Sequence, residues 1–312
     1  MLKRISKRKL CISSAALFAI ILMYLFPTNN ANLHIKEELK YVESQTLSTP
    51  IFLMDKNSYV ALTEARVAEN NIEKKARELI KILTVGGMDS KVPSGFSAII
   101  PPDTEILNIS YDHNVLKINF SKDILDIDEK LEEKMIEAIV YTLTSIEKVD
   151  KIIIYVEGDI LTKLPKTKIN LPSTLDRSFG INKEFDLTNT KNIKDVTVYY
   201  INQINENYYY VPVTKYLNDE RDKINIIIDE LTINFNPNKH LKSFLNNDIK
   251  LISSTIEERK IKLELKNEND ITNEEITSNI NKTISLSICD NYDIDEIFLN
   301  TEKKTCKNAK IK

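Results

Sequence analysis

The stretch "DTEILNISYDHNVLKINF" occupies residues 103–120, and "DIKLISSTIEERKIKLEL" occupies residues 248–265. At an offset of 145, Asp103, Ile106, Leu107, Lys117, Ile118 and Phe120 fall on Asp248, Leu251, Ile252, Lys262, Leu263 and Leu265. Within the first stretch Leu116, Ile118 and Phe120 alternate with Lys117 and Asn119, the period of a strand with one buried face. Ile106-Leu107 and Ile109 mark the strand before it, and Asp112-His113-Asn114 reads as the turn between them. A strand pair repeated at a fixed distance indicates a duplicated unit, which settles how the rest of the chain is interpreted.

Outward from these strands, the same elements recur on both sides. Ile51–Met54 and Tyr59–Leu62 form a hairpin around Asp55–Ser58, and Ile72 to Leu83 places Ile72, Ala76, Leu79, Ile80 and Leu83 on one helical face. A second helix is predicted over 128–146, and the apolar run Ile152 to Val156 closes the unit as a central strand. In the second copy Val196–Tyr200 and Tyr208–Val213 give the hairpin, 220–231 and 273–287 the helices, and Ile297–Leu299 the closing strand. Val149-Asp150 and Ile152 match Ile294-Asp295 and Ile297 at the same offset of 145; the offset is 151 in the hairpin and 141 in the last helix, where Thr142 meets Thr283. Drift of this kind follows from loop insertions and deletions. The fold class is therefore α+β, a membrane anchor helix followed by two tandem β-β-α-β-β-α-β domains. The first domain covers 49–160 and the second, diverged one 193–302. A linker at 161–192 holds Pro165 and Pro172, and 303–312 is a basic tail of no evident structure.

The 312 residues are 42% hydrophobic and 29% charged, enough apolar material for packed cores. Lys3, Arg4, Lys7, Arg8 and Lys9 are the only charges in residues 1–30, which leaves 38 basic against 46 acidic residues beyond, a net of −8. Such a body is repelled by phosphate backbones, so nucleic acid is not an expected partner. Leu10 to Phe26 is free of charge and as a helix spans roughly 25 Å, near the lower limit for a bilayer core. Cations before it and none just after predict a cytoplasmic N-terminus. A cleaved signal fits poorly, since a cut after Ala31 puts Asn29 at −3. Cys11 lies at the start of the apolar run, where a lipidated cysteine would not. The expectation is an uncleaved single-pass anchor at 10–26 within a segment 1–30, a stalk at 31–48, and domains outside the cell membrane. Cys289 and Cys306 could pair in an oxidising compartment or remain two thiols; two cysteines do not make a framework.

The segments "AIIPPDTEILNISYDHNVLKINFSKDIL" (98–125) and "EAIVYTLTSIEKVDKIIIYVEG" (137–158) resemble the GerM domain family of sporulation and spore germination. Pro101, Phe120-Ser121, Ala138 to Thr144, Val149 and Gly158 carry the resemblance. The second copy lacks the proline and the closing glycine and has Asn281-Lys282 in its final helix. The resemblance implies a role in the assembly between mother cell and developing spore, through domains similar to ring-building folds of secretion-type channels. Family members are often lipoproteins, and a transmembrane anchor departs from that.

Nothing in the spacing points to catalysis, a cofactor or a metal. His34, His113 and His240 have no partner at metal or triad spacing, and no nucleophile, zinc or phosphate-loop motif occurs. The acids Asp123, Asp126, Asp128, Glu129, Glu132 and Glu133 do not follow the calcium loop and suit a helix start. Tyr208–Tyr210 could stack on a glycan or partner, or serve a strand in which tyrosine is favoured anyway. Thr142 reads as a small helix residue facing the sheet. The expected function is that of a non-enzymatic envelope protein docking other envelope or sporulation-channel proteins or itself. The alternative is a sensor for a cell-wall fragment or germinant, with a pocket lined by Tyr199, Tyr200 and Tyr208–Tyr210.

Overall fold

A computed structural model describes residues 48–232, 240–245, 249–267, 274–300, 302–307 and 310–311. All described residues belong to one compact unit within 46–312. The anchor at 10–26 and the stalk up to residue 47 lie outside them. Among the described residues no helix is long and apolar enough to cross a membrane.

The first copy opens with the antiparallel hairpin of β1 (Ser48–Asp55) and β2 (Val60–Arg66). Asp55 shapes its turn, because its carboxylate accepts from the backbone N–H of Asn57 and of Tyr59. Helix α1 (Ile72–Leu83) starts where Asn71 caps the N–H of Lys74, a contact worth about 1 kcal/mol. It buries Ala76, Leu79, Ile80, Ile82 and Leu83. The short β3 (Phe96–Ser97) pairs with β1. A second sheet runs β4 (Ile106–Asp112), β5 (Val115–Phe120), β6 (Lys151–Val156), β7 (Asp159–Ile160). His113 and Asn114, at φ 46° and 63°, make the tight turn between β4 and β5, the left-handed pair that a two-residue hairpin demands. Helix α2 (Glu129–Leu143) is the crossover joining the parallel strands β5 and β6.

After β8 (Glu184–Asp186) the second copy repeats the plan: β9 (Ile193–Ile204), β10 (Asn207–Asn218), α3 (Lys223–Thr232), β11 (Ile249–Glu257), β12 (Lys260–Asn267), α4 (Glu274–Asn291) and β13 (Glu296–Leu299). The duplication holds bond by bond. Val115 pairs with Lys151 and, 145 residues on, Lys260 with Glu296. The bulge between Ile106 and Asn108 recurs between Leu251 and Ser253. Asp150 N–H donates to the Asn114 carbonyl as Asp295 N–H does to that of Arg259.

Three features differ from the sequence reading. In the last helix Thr142 accepts from Phe52 N–H at 2.9 Å, and the residue that does this in the second copy is Ser287, accepting from Tyr199 N–H at 2.9 Å. Thr283 bonds back onto the Asn279 and Ile280 carbonyls of its own helix. The offset is therefore 145 here as well, and the Thr-to-Thr match at 141 does not hold. The described part of the tail carries strands: β14 (Glu302–Lys307) pairs with β13 and with β15 (Lys310–Ile311), and Cys306 is joined to Cys289 across a Cα separation of 5.5 Å. Finally, the linker segment is packed. Leu164, Leu171, Leu175 and Ile181 are buried in the first core, and β8 runs parallel to β10.

Candidate functional site

The hairpins of the two copies do not sit in separate sheets. They share one, ordered β3-β1-β2-β10-β8 with β9 also on β10, joined where Tyr210 pairs with Leu62. Strands β2 and β10 are the same element of the repeat, so like meets like. Two residues further along that antiparallel register, Pro212 comes opposite Val60. Proline has no N–H to donate, and a sheet tolerates it only at an edge or irregularity. Asn182 fills the gap. Its amide nitrogen donates to the carbonyls of Val60 (2.8 Å) and Pro212 (2.7 Å), and its amide oxygen accepts from Val60 N–H (2.9 Å). Asn182 takes a left-handed φ of 46°, which asparagine accepts more readily than most residues. Gly180 at φ 79° turns the chain toward this position, and a Cβ there would lie 2.9 Å from the Tyr216 hydroxyl.

Asn182 N–H in turn donates to Glu137 of α2 at 2.9 Å. Burial pushes the Glu137 carboxyl up to about 7, against the opposing pull of that N–H and of Lys183. Lys183 lies 2.7 Å from Glu133 and 3.9 Å from Glu137. Together with Tyr59, Lys134 and Phe185 they line a cleft of about 270 Å³ beside the join.

A second clasp is Arg177. It makes a 2.6 Å ion pair with Asp290 of α4 and donates to the Tyr141 carbonyl of α2 at 3.3 Å and to Ser145, just past the end of α2, at 2.8 Å. The guanidinium also lies 4.7 Å from the Tyr141 ring centroid, a cation–π geometry. Asp290 is held from its other oxygen by the Tyr199 hydroxyl at 3.0 Å. One side chain of the connecting segment thus ties the closing helices of both copies. These buried ionisable groups are occupied by one another.

The sequence candidates fall as follows. Tyr199, Tyr209 and Tyr210 are buried, and their hydroxyls are taken by Asp290, Asp55 and Asn279. Tyr200 donates to Glu230, and Tyr208 packs edge-on to Phe244. The hydroxyls of Tyr199, Tyr200, Tyr209 and Tyr210 thus each meet a different partner; in a strand each ring is fixed by its own face and neighbour. Asp128 caps α2, and Asp123 accepts from Ser121. Glu132 binds the backbone N–H groups of Lys166 and Thr167; burial raises its carboxyl, but these bonds outweigh that and hold it below its ordinary value. Among the described residues no group of three His, Cys, Asp or Glu could hold a metal ion. His113 sits in its turn 2.6 Å from Asp112, and His34 lies outside the described residues. His240 lines an open cleft with Lys56, Asn57, Asn202, Gln203, Asn205 and Lys242.

The outer edges of the two crossover sheets differ. In the first copy α1 covers β4: Glu73 accepts from Tyr111 N–H at 3.1 Å and Arg77 donates to the Ile106 carbonyl at 3.4 Å. In the second copy α3 begins only at Lys223, and Arg221 before it is engaged by Asp219 and Asp229. On β11 itself Ile252 and Ile256 are 55% and 51% exposed.

Residues 50–162 match the family model described as "Germane: Sporulation and spore germination". The chain belongs to the Germane (GerM-domain) family. It is 31% identical over 217 residues to the spore germination protein GerM of Bacillus subtilis (strain 168), covering 67% of this chain and 58% of that protein's length. The solved tandem GerMN domains of the sporulation protein GerM from Bacillus subtilis superimpose with a TM-score of 0.71 at 27% identity, over 81% of this chain and 90% of that one. The chain thus carries two Germane copies, the second beyond the reach of the family model. Asn182 and Arg177, which join them, went unnoticed in the sequence because the connecting segment has no periodicity. Pro212 inside a strand was the available signal.

Proposed function

We propose that this Germane protein is a non-enzymatic envelope component of sporulation or spore germination. It is anchored through residues 10–26 and uses its fused copies outside the cytoplasmic membrane as a docking platform. The observation that carries this reading is the pair of exposed isoleucines, Ile252 and Ile256, on the end strand β11, where a strand of a partner protein adds to the sheet. Edge strands left uncovered invite such pairing, and native proteins normally blunt them. Here the equivalent strand in the first copy is met by Glu73 and Arg77, while β11 of the second keeps Ile252 and Ile256 exposed. Ile252 and Ile256 supply the apolar contacts that main-chain bonds alone lack. The occupant is an extended segment of another envelope or sporulation-channel protein. An extracytoplasmic site is supported by the Cys289–Cys306 pair, since such bonds persist in oxidising compartments, and by the five N-terminal cations. A role without catalysis is supported by three ionisable side chains that are engaged in joining the copies, Glu137, Arg177 and Asp290.

The test is a pull-down from sporulating cells with the native chain, with Ile252→Lys/Ile256→Lys, and with Leu107→Lys in the first copy. Loss of a channel or envelope partner, and of spore yield, with the second-copy variant alone supports the reading. Retention of that partner by Ile252→Lys/Ile256→Lys refutes it, as does recovery of only a second copy of the same chain.

A further inference from the structure

The cleft at the hairpin tips is built by both copies. Lys56 and Asn57 come from the β1–β2 turn, Asn202, Gln203 and Asn205 from the β9–β10 hairpin, and Lys242 from the segment bridged to β9. It measures about 530 Å³, within the range of small-molecule sites. Among the described residues its lining is four carboxamides, two lysines and His240, with no carboxylate, in a body whose net charge beyond residue 30 is −8. Carboxamides both donate and accept, which suits rows of hydroxyls, while ammonium groups suit an anion. Among the described residues the side chains of Lys56, Lys242, Asn57, Gln203 and Asn205 have no hydrogen-bond or ion-pair partner. Asn202 is the fixed floor. It is 7% exposed, its oxygen accepts from Gln203 N–H at 2.8 Å, and its nitrogen reaches Asp55 at 3.4 Å. Asp55 is itself held by the Tyr209 hydroxyl at 2.8 Å, so the floor is anchored across the join.

We propose that this cleft binds a hydroxyl-rich anion, a sugar acid or a polyol phosphate, with the carboxamides on the hydroxyls and Lys56 and Lys242 on the charge. The site is separate from the β11 edge, and it exists only because the two hairpins are joined. It does not depend on the docking reading.

The experiment is calorimetric titration of the full-length chain with N-acetylmuramic acid, ribitol 5-phosphate and neutral N-acetylglucosamine. At least one anion binds about tenfold more tightly than the neutral sugar; which one separates a carboxylate source from a phosphate source. Lys56→Ala/Lys242→Ala loses that preference while its urea midpoint stays unchanged. Failure of both anions to bind at about 10 mM, or equal binding by the double variant, overturns the proposal. Should the double variant misfold, amide resonances of the native chain decide. Shifts induced by the anion at Asn57 and Asn205 support the site, and shifts elsewhere only overturn it.

Discussion

The carbonyl of Pro212 is taken up by the side-chain amide of Asn182, 2.7 Å away, at the point where one Germane copy meets the other. The same amide serves both backbone groups of Val60, so one side chain completes a ladder rung that proline interrupts. Asn182→Gly keeps the left-handed backbone accessible but strips three buried backbone groups of their partner. At about 1 kcal/mol or more for each unsatisfied group, the expected loss is about 2–4 kcal/mol, read from urea unfolding. Hydrogen exchange should quicken at Val60 and Leu62 before it does in β5 or β12.

Arg177→Ala leaves Asp290, whose side chain is 4% exposed, without its cation. Removing one member of a buried pair costs about 3–5 kcal/mol, whereas replacing both by apolar groups is often neutral. Arg177→Met/Asp290→Leu should therefore recover most of what Arg177→Ala loses, in the same denaturation experiment. An additive double variant would show that the two side chains do not act together.

The repeat, its register and the bulge were legible because they are local. Strand alternation and the offset of 145 need only neighbouring residues, and the bulge positions Leu107 and Ile252 already matched in the alignment. The shared sheet was not legible. It rests on a single backbone pairing, Tyr210 with Leu62, between hairpins separated by more than a hundred residues. Its reinforcement comes from Asn182 and Arg177, isolated polar residues in a stretch that looks like a spacer. The partners of the tyrosines were hidden for the opposite reason. Five aromatics lie close in sequence, but strand geometry sends neighbours to opposite faces, and Tyr199, Tyr200, Tyr209 and Tyr210 each donate to a separate acceptor.

Glu137 gives the join a pH dependence of known sign. Its carboxyl is pushed up to about 7 from 4.5 by burial, so the native chain holds this proton better than the unfolded one. Stability then falls as pH rises between about 4.5 and about 7, by about 1–3 kcal/mol. Glu137→Gln, which still accepts from Asn182 N–H, should flatten that slope. Urea midpoints at about pH 5 and about pH 8 measure it, and an unchanged slope would show that Glu137 is not the group responsible.

Cys289 and Cys306 close a loop with a sequence separation of 17. Loop-closure entropy for that length predicts a loss of about 3 kcal/mol on reduction or in Cys306→Ser. The effect belongs to the second copy, so exchange protection in β13 and β14 should fall while that of β5 and β6 stays as it was.

The central claim is that two Germane copies form one continuous body through a shared sheet. Spin labels placed by Leu107→Cys and Ile252→Cys in a Cys11→Ser background, one on each copy and both exposed, test it by pulsed electron–electron distance measurement, the native Cys289–Cys306 pair being unavailable to the label. A single narrow distance distribution that broadens in Asn182→Gly/Arg177→Ala is the predicted result. A broad distribution in the native chain, no different from that of the variant, would contradict the account.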